Sequence, residues 1–200
     1  MSGVKVLAVA VGVLTLAGCD KPNLPEPARD WAKAVTWDEP GRRFLFDGRP
    51  APIVRVWDFE RVGDAEGFTP LNAQMTPARG QGLVLINGPD PGLRSPDDLE
   101  IDGRESALLL VRLTRRQATA SWDGTVFHQT RWHGESEKFA HRLPQAPAVG
   151  GATVLVYLMG SSPAGGGDWT ASRIKRLRID LEGDGGETVI HQIALAQAPF

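Results

Sequence analysis

Two hundred residues suit a single domain with a hydrophobic core of its own. A formal charge of −2, from 22 basic and 24 acidic residues, gives no basic field for a phosphate backbone, so nucleic acid is excluded as a partner. The 23 Gly and 15 Pro favour many short strands joined by turns over long helices, while six Trp stand against one Tyr and one Cys.

The chain opens with one positive charge, Lys5, ahead of an uncharged run from Val6 to Leu16. That run has the layout of an export signal and, at roughly eleven residues, falls short of the about 20 that span a bilayer. Leu16-Ala17-Gly18-Cys19 resembles the bacterial lipobox, in which the cysteine is lipidated and the peptide is cut just before it. The resemblance implies a signal peptide over 1–18, lipidation at Cys19, and a mature chain held on a membrane, since two or more acyl chains anchor stably where one does not. It also implies a place in the bacterial cell envelope facing the periplasm, and Asp20 resembles a retention signal for the inner membrane.

Residues 19–51 carry Pro22, Pro25, Pro27, Pro40 and Pro50 without a sustained apolar period, the pattern of a tether. Trp31, Trp37 and Phe44-Leu45-Phe46 are too aromatic for a freely solvated linker. They predict partial docking on the body, after a short helical turn around Ala28 to Val35.

From residue 52 onward, apolar runs alternate with turn residues. Strands are predicted at Ile53 to Phe59, Leu83 to Ile86, Leu108 to Leu113, Gln117 to Trp122, Thr125 to Arg131, Lys138 to Leu143, Val154 to Met159, Leu177 to Leu181 and Val189 to Ala196. The unbroken run Leu108 to Leu113 is that of a strand buried on both faces. Asp123-Gly124 between two runs predicts a hairpin turn. No amphipathic helix exceeds two turns, and the fold expected is all-β, an antiparallel jelly-roll β-sandwich over 52–200.

Trp57-Asp58-Phe59-Glu60 near the start, Leu99-Glu100-Ile101-Asp102-Gly103, Gly167-Asp168-Trp169-Thr170 followed by Leu177-Arg178-Ile179-Asp180, and a closing Ile190-His191-Gln192-Ile193-Ala194-Leu195 follow one another in an order that resembles the jelly-roll carbohydrate-binding modules of the galactose-binding-like superfamily. The resemblance implies a binding module that is not itself an enzyme. It also implies a structural calcium near the first and last strands, for which Asp58, Glu60 and Asp180 are the candidates. Calcium takes six to eight oxygens, and a solvated charged face competes with that reading.

The segment from Trp122 to Glu135 is the richest in polar and aromatic groups. Sugars are held between an aromatic face and a few aimed polar groups, which makes Trp122, Arg131, Trp132, His133 and Glu135 candidate ligand contacts. Trp169, beside Gly165-Gly166-Gly167, is a further candidate, with a core role as the competing reading. His128 and His133, five apart, match neither the helical nor the strand spacing of a metal pair, which argues against a metal site there. The chain has no Gly-x-Ser-x-Gly and no standout carboxylate pair. The expected function is therefore non-catalytic glycan binding on a lipid anchor. The rivals are a structural or assembly subunit that binds an envelope protein, and a small polysaccharide-active hydrolase or lyase.

Overall fold

A computed structural model describes residues 30–78, 80–117, 119, 121–160 and 162–198. The stretch expected to be an export segment, Cys19, and Pro22, Pro25 and Pro27 of the expected tether lie outside the described residues. Described residues start at Asp30, whose carboxylate accepts from Lys33 N and caps a one-turn helix α1 (Trp31–Ala34). Three short strands follow, β1 (Val35–Asp38), β2 (Arg43–Phe46) and β3 (Arg49–Pro50), in a small antiparallel sheet of their own.

The body comprises β4 (Ile53–Trp57), β5 (Thr69–Ala78), β6 (Gly82–Arg94), β7 (Ile101–Asp102), β8 (Leu108–Gln117), β9 (Trp122–Gln129), β10 (His141–Arg142), β11 (Ala152–Leu158), β12 (Arg173–Ile174), β13 (Arg176–Glu182) and β14 (Glu187–Ala196). Its strands pair antiparallel in the order β10-β9-β13-β6-β14-β8-β11, with β5 on β6 and β4 on β14. The fold is an all-β β-sandwich. Its two layers share β6, which pairs with β14 through Leu83 to Ile86 and with β13 through Leu93 and Arg94. Between these halves runs Gly88-Pro89-Asp90-Pro91-Gly92, where proline and glycine loosen the ladder enough for one strand to serve both sheets.

Side-chain alternation explains the core. Leu109, Val111 and Leu113 of β8 meet Leu177, Ile179 and Leu181 of β13 and Ile193 and Leu195 of β14 between the layers. The other parity, Leu108 and Leu110 with Val156, Ala194 and Ala196, is covered from outside by Val35, Phe44 and Phe46 of the N-terminal hairpin. The continuous apolar run of β8 thus has apolar neighbours on both faces, and Val35, Phe44 and Phe46 are what cover the outer one.

Three expectations fail. Of the strand expected over Lys138 to Leu143, only β10 (His141–Arg142) forms, because Ser136 caps a 3-10 turn over Glu137–Phe139 first. Asp123-Gly124 is not a hairpin turn: both residues lie inside β9, and Gly124, at φ +64°, sits where β9 spends one residue more than β13 between the pairs Thr125↔Asp180 and Trp122↔Glu182. That is a β-bulge, which the same residue type supplies as readily as a turn. The bulge turns the Gly124 carbonyl toward Leu143 N at 2.9 Å and the Tyr157 hydroxyl at 3.2 Å. Gln117 and Trp122 belong to different strands: β8 ends at Gln117 and β9 begins at Trp122.

Candidate functional site

At the end of β9 the chain reverses through Thr130-Arg131-Trp132-His133. Thr130 N donates to His133 O at 3.1 Å and Trp132 N to Thr130 Oγ1 at 3.1 Å, a turn that the Thr hydroxyl is suited to close. Turning here leaves Trp132 73% exposed, with the Arg131 guanidinium 4.2 Å from its ring centroid. Both residues line a cleft of about 390 Å³ together with Glu100, Asp102, Arg104, Thr170, Arg173 and Lys175. Lys175 and Glu100 approach to 3.9 Å, and Arg173 donates to the Glu100 carbonyl at 2.9 Å. With Lys175 set against Glu100, three guanidinium groups face one carboxylate, Asp102, and the cleft is net cationic.

The remaining predicted contacts lie elsewhere. Trp169 is 1% exposed and gives its Nε1 proton to Ser106 O at 2.9 Å, so it offers a ligand no face and belongs to the core. Trp122 stands at the opposite end of β9, packed against the core with Nε1 donating to Leu143 O and Arg115 over its ring. Glu135 is held bidentately by Arg94 at 2.7 and 2.6 Å and approached by Arg178 at 3.4 Å. Burial pushes this carboxyl up, and the two guanidiniums more than reverse that and hold it low. It ties the loop to the sandwich.

His133 turns inward. Its ring stacks on Phe139 at 3.7 Å, and its Nε2 lies 2.8 Å from Asp168 Oδ2. His128, 1% exposed on β9, directs its own Nε2 at the same oxygen from 3.0 Å. Burial favours a protonated Asp168, and the two imidazoles outweigh it, holding the carboxyl below its ordinary range. Desolvation lowers His128. Spacing of five was read against a shared site, yet the turn at 130–133 folds His133 back beside His128, and Asp168 arrives from a loop 40 residues on. A polar turn directly after a strand that carries His128 one residue before its end was the available signal.

The three calcium candidates do not form one group. Asp58 Oδ1 accepts from Glu60 N at 3.2 Å, and Glu60 pairs with Arg42. Arg42 and Arg112 share the cavity that Asp58 and Glu60 line, so guanidiniums already supply the positive charge a calcium would bring. Asp180 is buried against Arg178, with bonds of 2.9 and 2.6 Å, and burial raises it to about 6 despite that partner. Among the described residues, the group whose three ligating atoms come together is His128, His133 and Asp168.

No family model matches the sequence, and no curated protein matches it. Among solved structures, the chain is similar to a family 29 carbohydrate-binding module from Piromyces equi at 12% identity and a TM-score of 0.46, over 72% of this chain and 91% of that one. It is similar also to TmCBM27, a carbohydrate-binding module described for specific mannan recognition, at 12% identity and a TM-score of 0.41, over 74% of this chain and 98% of that one.

Proposed function

We propose that this protein is a lipid-anchored glycan-binding protein of the bacterial cell envelope, facing the periplasm, and that it binds sugar in the cleft beside Trp132. The observation that carries the reading is the exposed Trp132 ring at the rim of a polar, net-cationic cleft. An indole face packs against the C–H face of a pyranose, while Asp102, Arg104, Arg131 and Arg173 are placed to take hydroxyls. That division of labour is the one small-ligand sites use. The cationic excess makes sugars bearing carboxylate or phosphate the better ligands. Anchoring rests on the lipobox-like Leu16 to Cys19 and is tested apart from binding: Cys19→Ser should abolish acyl labelling and leave residues 1–18 uncut.

The binding test is a screen of the Cys19→Ser chain against neutral and acidic polysaccharides by affinity electrophoresis. Retardation by acidic glycans, weakened by salt, is the expected result. Failure to bind any polysaccharide, with a stoichiometric protein partner recovered from the membrane instead, would replace this reading with that of an assembly subunit.

A further inference from the structure

The loop that displays Trp132 carries a second set of groups on its inner side. His133 Nδ1 lies 2.8 Å from the carbonyl oxygen of Gly134, an atom that can only accept, so Nδ1 carries the ring proton. His133 Nε2 is aimed at Asp168 Oδ2 only 2.8 Å away. An imidazole nitrogen and a carboxylate oxygen this close share a cation, either a proton or a metal ion. His128 Nε2 converges on the same oxygen, and all three ligating atoms lie within 4.8 Å of one another.

We propose that His128, His133 and Asp168 bind one divalent transition ion of the zinc class through His128 Nε2, His133 Nε2 and Asp168 Oδ2. Two imidazoles and one carboxylate select that class over calcium or magnesium, which want oxygen ligands throughout. Around zinc these atoms would stand about 3.4 Å apart, from bond lengths of about 2.1 Å in a tetrahedron, so the two nitrogen–oxygen separations of 2.8 and 3.0 Å need to open by about half an ångström. Of the two imidazoles, His133 has an outer hydrogen-bond partner, whereas His128 Nδ1 is buried without one among the described residues. The Gly134 carbonyl fixes the His133 tautomer, as outer partners of ligating histidines do. Phe139 stacks on His133, and Trp169 stands edge-on to His128 at 5.2 Å. The His133 and Asp168 side chains keep 13% and 22% exposure, which leaves an approach for the ion and a fourth position for water. Bound there, the ion joins the Trp132 loop to the loop bearing Asp168. The inference stands apart from glycan binding and is read without any sugar.

The test is calorimetric titration of Zn²⁺ into the detergent-purified chain after chelator stripping, with Co²⁺ absorption as a second measurement. One equivalent should bind, Co²⁺ should give the intense visible bands of a tetrahedral nitrogen–oxygen site, and saturating Zn²⁺ should raise the Tm. His133→Gln and Asp168→Asn, both at partly exposed positions, should lower affinity at least ~100-fold and cancel the Tm gain. No stoichiometric uptake by the parent chain would overturn the proposal and leave a proton-bridged His–Asp–His cluster, as would uptake unchanged in folded His133→Gln. Should both variants misfold, the Co²⁺ spectrum of the parent decides alone: octahedral weak bands, or none, overturn it.

Discussion

Replacing Trp132 by Ala isolates the indole face from everything else the loop does. A Trp side chain covers about 150–250 Å² when fully buried, and a sugar lying on one face covers roughly 100 Å² of it. At about 25 cal/mol per Å² that face is worth about 2.5 kcal/mol, or roughly 70-fold in Kd. Stability should barely move, because the ring is 73% exposed and its contact with Arg131 contributes only about 0.5–1 kcal/mol at such a site. The assay pairs calorimetry on the best-retained polysaccharide with urea unfolding of the same preparation. Trp132→Phe, with a smaller face at the same position, should fall between parent and Ala. Affinity within twofold of the parent, in a Trp132→Ala protein with an unchanged urea midpoint, would refute the assignment of this ring to the ligand.

Three further predictions concern the scaffold. Arg115 and Glu182 form a buried bidentate pair at 2.5 and 2.8 Å, so Arg115→Met should cost about 3–5 kcal/mol in urea unfolding, and Arg115→Met with Glu182→Met should recover most of it; a single variant losing under 1 kcal/mol would contradict the claim. Burial, reinforced by His128, pushes His141 down to about 4. Its folded state therefore binds a proton less readily than the unfolded chain, and about 3 kcal/mol of stability present above pH 6.5 should be lost as pH falls through 4. Urea midpoints taken in chelator across that range should flatten in His141→Gln, and an equally steep profile would count against it. Gly124→Ala adds a Cβ within 2.3 Å of Leu143 O at a positive φ, which should destabilise the chain by more than about 1 kcal/mol; a neutral result in thermal melts would show that the bulge relaxes freely.

How much of this could be read from the residues differs by level. Strand periodicity located β4, β8, β11, β13 and β14, because each alternates or runs apolar against layers that the pattern itself requires. β5 escaped notice, since Pro70 and Pro77 punctuate a strand whose partner along its length is β6 and whose side chains are only partly buried. Asp123-Gly124 misled because left-handed glycine serves bulges as well as turns, and only the count of residues on the partner strand separates them. Of the site, Trp132 and Arg131 were visible as polar-aromatic residues in a turn. Trp169 carries the same side chain to a buried position and Trp122 to a half-buried one, a difference set by which neighbours the fold brings over each ring. The His128, His133 and Asp168 group depends on a loop that returns from 40 residues away, and local spacing holds no trace of that.

Among the described residues the N-terminal hairpin shares no strand ladder with the sandwich; side chains hold it on the body, through the apolar contact of Val35, Phe44 and Phe46 and the ion pairs of Arg42 with Glu60 and Glu39 with Arg112. In a tethered protein this contact lies in series between the tether and the cleft. Tension applied between residue 30 and the body therefore loads side-chain packing before it loads any strand of the sandwich. Under pulling, residues 30–50 should come away first, as a mechanical buffer that lengthens the tether while the sandwich, and whatever the cleft holds, stays intact. A single-molecule trace in which the sandwich ruptures before that release would show the hairpin to be the stronger joint.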